Sequence, residues 1–534
     1  MTKVIEAPQN GLAGLKHWRA DIGAGFLVAM ISIPFSIGIA IASGAPPITG
    51  LTSAIIAGLI LPLVGGSYVT ISGPAAGLAP ILYQAILTLG LGNMTEGYLL
   101  LLPIICLVGI IQIILCGFKI AKYSSIFPIS VIEGMLAAIG LMIIVKQFPS
   151  LIGHQYIAHD FWPMVIETPH ELIHANQTAF GIGLFTLVLI FSLKKLLKTH
   201  IIIKVLPPQI LAVFISTLIS IFFLDIDSDL LINLPNNPLH GLAFPDFKDL
   251  LLRQDLYYNA AQIILTLTLI DGIESLATIK AIDKIDPHKR HSNPNRTLFA
   301  IGLSNVCSSF IGGLTIIPGG VRSTANIMAG GKTQWANFYN ACFLIAFMLL
   351  ARPLINQIPL SVLAAVLIYT GFNLCRPRVW KHVAKIGPDQ MLQFTATAII
   401  VLCTDLMIGI ISGVTIAYLS NLYYSSQGKE NNFFDYRLFT NPIESKSCST
   451  NEATLYLNKN LSSFNLIYLQ EVIKKLPIET RKICINISGE VSLIEHTVLD
   501  YFHSLQNKYE LIIVGLEKFK KLSNSSSSTR VRES

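Results

Sequence analysis

Long apolar stretches separated by short polar ones dominate the first four fifths of the chain. A window of about 20 residues, the length that crosses about 30 Å of hydrocarbon, picks out apolar runs at 22–43, 49–65, 97–116, 129–147, 178–194 and 207–224, then at 257–280, 296–313, 335–350, 359–374, 389–406 and 408–426. Two further segments, 70–91 and 316–330, are shorter and interrupted by glycine and proline. Counting them, the pattern predicts 14 crossings. The polar stretch Met1–Asp21 is long and the run behind it exceeds a signal-peptide core, so that run reads as the first span.

Composition agrees: 52% hydrophobic and 13% charged residues in 534 exclude a soluble globular protein. Of the 69 charged side chains, 26 fall in 427–534, which marks a water-soluble tail behind the membrane part. The net charge of +7 does not point to nucleic acid, because the basic residues form short clusters between apolar runs. Those clusters (Lys16/Arg19, Lys119/Lys122, Lys194–Lys204, Lys280–Arg296, Lys332, Arg376–Lys385) all fall on one side if the N-terminus is cytosolic, as the positive-inside rule requires. An even span count then puts the tail in the cytosol too. The eight cysteines show no CxxC pair and read as reduced core residues.

The two broken segments carry the functional signal. Non-helical backbone at membrane depth is tolerated only where it is buried in protein or lines a polar cavity. The first break reads Thr70-Ile71-Ser72-Gly73-Pro74-Ala75-Ala76-Gly77, the second Ile317-Pro318-Gly319-Gly320-Val321-Arg322-Ser323-Thr324-Ala325-Asn326. Each is an extended run entering a helix, and their offset matches that between the first and eighth spans. The chain thus divides into two repeats, about 22–224 and 257–426, of seven spans each; seven being odd, the second copy is inverted. Matching breaks in an inverted repeat point to a transport site at the bilayer midplane. Facing half-helix N-termini suit a small anion, and Arg322 adds a permanent cation. In the eighth span Asp271, Glu274 and Thr278 share one helix face; two carboxylates there call for Na⁺, a proton or Arg322 as partner.

With these residues the chain resembles the SulP family of inorganic anion transporters. The resemblance rests on Asp21-Ile22-Gly23-Ala24-Gly25, Ile33-Pro34, Ser43 to Leu51 (SGAPPITGL), Ile71 to Gly77, Ile273-Glu274-Ser275-Leu276-Ala277-Thr278 and Val321 to Asn326. It implies an α-helical polytopic membrane protein of 14 segments as 7+7 inverted repeats, split into core and gate domains, working by an elevator-like movement in the bacterial cytoplasmic membrane. It places the anion pocket on Gly73, Pro74, Ala75 and Ala76 with Gly320, Val321, Arg322 and Ser323, and a coupling-ion site on Glu274 and Thr278, with Asp271 beside them. Phe35 stands where many members have a pocket-lining glutamine, and Gly319 and Gly320 where a sodium-coupled bicarbonate member has larger residues. An apolar residue after Pro34 together with a short, degenerate C-terminal tail is similar to the SulP branch linked to carbonic anhydrase, so sulfate and bicarbonate both stand as substrates and H⁺ or Na⁺ as coupling ion. A homodimer and no other cofactor are implied.

Behind a linker at 427–452, strands at Thr454–Leu457, Arg481–Ser488 and Leu511–Val514 with helices at 464–476 and 495–507 alternate as in an α/β domain. It resembles a cytosolic STAS domain, spanning 453–522, in which Ile494-Glu495-His496-Thr497 replaces the phosphorylatable serine run; the serine-rich 523–534 reads as a disordered tail. Two other classes compete. His170-Glu171-Leu172-Ile173-His174 matches the HExxH zinc-hydrolase motif, with Asp271 as a distal ligand, but it follows Pro169 in a polar loop. A nucleobase permease of the same fold is the third reading, against which Arg322 speaks.

Overall fold

A computed structural model describes residues 8–121, 126–196, 207–224, 226–235, 243–426, 436–448, 451–477, 480–506 and 509–532. The chain forms two compact units, one of Met1–Ala121 with Ile139–Asn373, the other of Lys122–Ala138 with Leu374–Ser534.

In the first unit, helices α1 (Trp18–Ala42) and α2 (Pro47–Val64) lead into strand β1 (Ile71–Pro74) and the short helix α3 (Ala79–Leu89). Helices α4 (Met94–Gly117), α5 (Ile129–Ile152, shared by both units), α6 (Phe161–Glu171), α7 (Gln177–Leu196), α8 (Pro208–Phe223) and α9 (Phe247–Leu252) follow. The second run holds α10 (Tyr257–Ile285), α11 (Pro294–Ser309), β2 (Ile316–Gly319), α12 (Gly320–Met328), α13 (Trp335–Leu350), α14 (Arg352–Ile355) and α15 (Leu360–Leu374). Among the described residues eight helices are long and apolar enough to cross a membrane, and α3, α8 and α13 are shorter apolar helices.

Small residues let these helices close on each other. A Cβ on Gly109 of α4 would sit 2.6 Å from the Gly302 carbonyl oxygen of α11, and one on Gly302 would sit 2.7 Å from that of Gly109. Such mutual approach replaces the hydrophobic drive that lipid does not supply. Leu184, Val188 and Phe191 on α7, and Phe214 and Phe222 on α8, remain exposed, as suits helices bordered by acyl chains. Asp21, fully buried at the start of α1, accepts from the Lys332 and Thr333 amides at 2.7 and 3.1 Å and so fastens the loop behind α12.

The second unit contains α16 (Pro377–Ile386), α17 (Pro388–Cys403) and α18 (Leu406–Ser426), then β3 (Ile443–Cys448), β4 (Glu452–Leu457), α19 (Leu466–Lys474), β5 (Lys482–Ile487), β6 (Leu493–Ile494), α20 (His496–Leu505), β7 (Glu510–Val514), β8 (Phe519–Lys521) and β9 (Arg530–Arg532). One sheet runs β3-β4-β5-β7, with β4, β5 and β7 mutually parallel; a second runs β6-β9-β8. Alternating burial along β4 and β5 sends Leu455, Leu457, Ile483 and Ile485 into a core with Leu469 and Phe502.

Within the second unit α16–α18 are stitched to the α/β domain: Thr529 Oγ1 donates to Asp389 (2.7 Å), Asn421 Nδ2 to Glu495 (3.1 Å) and Asn460 Nδ2 to Ser425 (2.6 Å). One boundary differs from the sequence reading. The expected disordered tail is instead structured through Arg532. Its β9 pairs with β6 and β8, and Ser528 and Thr529 are fully buried; composition hid this because the hydroxyls that suggested disorder are the groups making the bonds. Residues 533 and 534 lie outside the described residues.

Candidate functional site

The two sequence breaks meet. Extended residues at 71–74 and 316–319 pair antiparallel, Ile71 opposite Gly319 and Pro74 opposite Ile316, as two copies of opposite orientation require. β2 runs directly into the short helix α12, β1 reaches the short helix α3 through a turn at 75–78, and neither helix start has a side-chain cap. Pro80 in the first turn of α3 lacks the N–H that such a start leaves free. The Leu78 and Ala79 amides close the intervening turn on the Ala75 and Ala76 carbonyls, each at 3.3 Å. Among the described residues the amides of Ala76 and Gly77 meet no protein acceptor, leaving donors and the positive end of α3 open to an anion.

Arg322, in the first turn of α12 and 3% exposed, reaches across the strands. Its Nη2 donates to the Pro74 carbonyl at 2.5 Å and its Nη1 to Ser36 Oγ at 3.4 Å. Ser323 Oγ accepts from the Ile71 amide (2.9 Å) and donates to the Gly319 carbonyl (2.6 Å), and Asn326 Nδ2 donates to the Val69 carbonyl (2.9 Å). Glycine at 73 is required by this crossing, since a Cβ there would run into the Arg322 guanidinium and stand 3.0 Å from its Cζ. The structure therefore gathers Gly73, Pro74, Arg322 and Ser323 and places Ala75 and Ala76 in the adjoining turn. Gly320 borders open space, with no atom within 4 Å of a Cβ, so a larger side chain fits there. Val321 turns away and packs on the apolar cluster that includes Phe35 and Ala325.

The three polar residues of α10 separate. Asp271, fully buried, accepts from Asn305 Nδ2 (2.9 Å) and Ser275 Oγ (3.2 Å). Asn305 also donates to Gln112 Oε1 (2.9 Å) and accepts the Ile316 amide (2.7 Å), so Asp271 braces β2 from behind. Glu274 instead points at the first turn: a Cβ on Gly77 would lie 2.6 Å from both its carboxylate oxygens, and its buried Oε2 has no hydrogen-bond partner. Such an atom calls for a proton or a cation. Among the described residues no ion pair joins it to Arg322, and Thr278, one turn on, makes no hydrogen bond to it. Sequence reasoning missed Ser36, Gln112 and Asn305; the available signal was polar side chains inside apolar runs.

The HExxH residues are not arranged as the zinc motif requires. Helix α6 ends at Glu171 and Leu172–His174 is a 3-10 turn, so the two histidines are not set on one regular helix. Glu171 is occupied by His170 Nδ1 (2.9 Å) and His154 Nδ1 (2.8 Å); the His170 hydrogen bond, with the neighbouring histidines, holds its carboxyl below the usual range. Among the described residues no group of three His, Cys, Asp or Glu is placed to hold a metal, and Asp271 is committed to Asn305 and Ser275. All eight cysteines are free.

Comparison with known proteins agrees with this architecture. Residues 18–397 match the sulfate permease family. A putative sulfate transporter of Bacillus subtilis, YvdB, is 26% identical over 413 residues, 76% of this chain and 74% of its own. The bicarbonate transporter BicA of Picosynechococcus is 27% identical over 408 residues, 75% of this chain and 70% of its own. The transmembrane domain of a cyanobacterial BicA superposes with TM-score 0.64 at 23% identity, covering 75% of this chain and 97% of that one. SLC26A9 superposes with TM-score 0.68 at 16% identity over 93% of this chain and 84% of that one, so the likeness of fold extends into the C-terminal domain. The chain is thus a multi-pass membrane transporter rather than an enzyme, and it belongs to the sulfate permease family.

Proposed function

We propose that the protein is a secondary carrier of a small inorganic oxyanion, sulfate or bicarbonate, in the bacterial cytoplasmic membrane with both termini cytosolic. The observation that carries this reading is the paired break. Two strands joined at their centre feed two uncapped half-helices, open amides at Ala76 and Gly77 lie beside them, and a buried arginine lies across the strands. Backbone donors, helix N-termini and a guanidinium are together the chemistry that binds an oxyanion. The names of the relatives, a sulfate transporter and a bicarbonate transporter, supply the two substrates.

Alternating access then requires the site to face each side in turn. We assign this to an elevator-like displacement of the elements around the paired strands, in a homodimer. Glu274 is the coupling group: its unpartnered oxygen beside Gly77 takes H⁺ or Na⁺ while the anion occupies the turn. A functional link to carbonic anhydrase follows if bicarbonate is the substrate. Uptake of labelled sulfate, bicarbonate and uracil into proteoliposomes, with and without sodium and proton gradients, tests the reading. Accumulation of one of the two anions supports it; accumulation of uracil alone would identify a nucleobase carrier.

A further inference from the structure

Arg322 is not the only cation at the first break. Lys146, near the C-terminal end of α5, donates from Nζ to the Pro80 carbonyl in the first turn of α3 at 3.3 Å and lies 4.6 Å above the Tyr83 ring. The Tyr83 hydroxyl is in turn 3.1 Å from His159 Nδ1. Among the described residues Lys146 forms no ion pair within 4.0 Å, and Asp160 acts on it only at longer range. A lysine in a membrane span is costly to place, and one that turns onto neighbouring protein groups rather than outward to the interface reads as a functional residue by default. Methionine or leucine would fill the same space without a charge.

Its position is specific. Arg322 takes the Pro74 carbonyl on the strand side of the turn and Lys146 takes the Pro80 carbonyl on the helix side. Two cations thus bracket Ala75–Leu78, where the Ala76 and Gly77 amides are open, and Glu274 is the carboxylate that reaches this turn, at Gly77. A small cavity of about 10 Å³ adjoins the turn, lined by Ala76, Ala79, Pro80, Lys146 and Gln147 among others. At the size of one water it admits no oxyanion as it stands. Lys146 and Gln147 form part of the wall that an anion would have to displace to enter here.

We infer that Lys146, with Gln147 beside it, is a second binding station for the transported oxyanion, on the helix side of the first break. The inference rests on the anion-carrier reading above. Charge balance supports it, since two cations against the single Glu274 carboxylate leave the turn net positive beside its open amides, a setting that draws in an anion.

The test uses purified full-length wild type, Lys146→Gln, Lys146→Arg and Gln147→Glu. Sodium sulfate and sodium bicarbonate are titrated at constant ionic strength, and the half-saturating concentration for thermal stabilisation is read. Loss of one charge-assisted contact predicts about a tenfold rise for Lys146→Gln, wild-type behaviour for Lys146→Arg, and a rise for Gln147→Glu, which places a carboxylate in the same cavity. A packing role would lower the anion-free Tm of Lys146→Gln and leave half-saturation unchanged; that result overturns the inference. If Lys146→Gln does not fold, unchanged half-saturation in Gln147→Glu overturns it equally. A wild type that responds to neither anion would overturn the carrier reading along with it, whereas a responding wild type matched by both variants removes only the Lys146 station.

Discussion

Gly73→Ala is the most discriminating substitution the geometry offers. The added methyl occupies space now held by the Arg322 guanidinium and stands 3.0 Å from Cζ and 3.3 Å from the Ala54 methyl. Ala54 sits on α2 and is fully buried, so the strand has no room to retreat and the arginine must move instead. Leaving the Pro74 carbonyl breaks a charge-assisted bond of 2.5 Å. Such bonds contribute about 1.5–3 kcal/mol, and a guanidinium displaced by that much loses a comparable share of its hold on a bound anion. Half-saturating anion concentration should therefore rise roughly 10- to 150-fold. A double-mutant cycle with Arg322→Ala isolates the cause, measured by anion-dependent thermal stabilisation and by uptake. In the Arg322→Ala background Gly73→Ala should have little further effect, because the group it displaces is gone. Full additivity of the two losses would show that Gly73 acts through something other than Arg322, and the proposed geometry would fall.

Four further outcomes follow from other contacts. Glu274→Gln should abolish the dependence of uptake on a sodium or proton gradient while retaining anion-dependent stabilisation; unchanged coupling removes Glu274 from the mechanism. Arg290, buried, holds both Asp286 oxygens (2.7 and 3.0 Å) and the Pro8 and Lys332 carbonyls (2.8 Å each), so Arg290→Ala should destabilise by about 3–5 kcal/mol in denaturant titration. Burial opposes ionisation of Asp286, but the hydrogen bonds and charge of Arg290 outweigh it and hold the carboxyl below its usual value. Its contribution is thus complete above the unfolded aspartate value of about 3.9 and fades as pH falls through the lower folded value; the stability of Asp286→Asn should lack this acid-side decline. Glu495→Ala leaves the Ser463 amide and Asn421 without their acceptor (2.6 and 3.1 Å) and should weaken the second unit by about 1–3 kcal/mol, read by proteolysis of the C-terminal domain.

Local chemistry made the breaks legible in the sequence: the clustered Gly73-Pro74 and Pro318-Gly319-Gly320 disfavour a continuous helix, and apolar length located the helices around them. Arg322 was legible for the same reason, as a charge where none is affordable. What it bonds to was not, because Ser36 and the Pro74 carbonyl reach it only through tertiary pairing of strands far apart in sequence. Helical spacing put Asp271 and Glu274 on one face, yet their roles divide according to what stands opposite, Asn305 for one and Gly77 for the other. Lys146 carried the same signal, a charge in an apolar run, but its place beside the first break was not legible, because its partners, Pro80 and Tyr83, belong to a different span. The C-terminal residues show the reverse error, in which serine-rich composition concealed a strand at Arg530–Arg532.

The central claim is that an inorganic oxyanion crosses the membrane through the paired breaks under the control of Arg322. Its most direct test is labelled sulfate and labelled bicarbonate uptake into proteoliposomes bearing wild type or Arg322→Ala at equal folded amounts, against protein-free vesicles. Accumulation of one anion by wild type and its loss in Arg322→Ala is the predicted result. Accumulation of neither anion, or wild-type uptake by Arg322→Ala, would contradict the account.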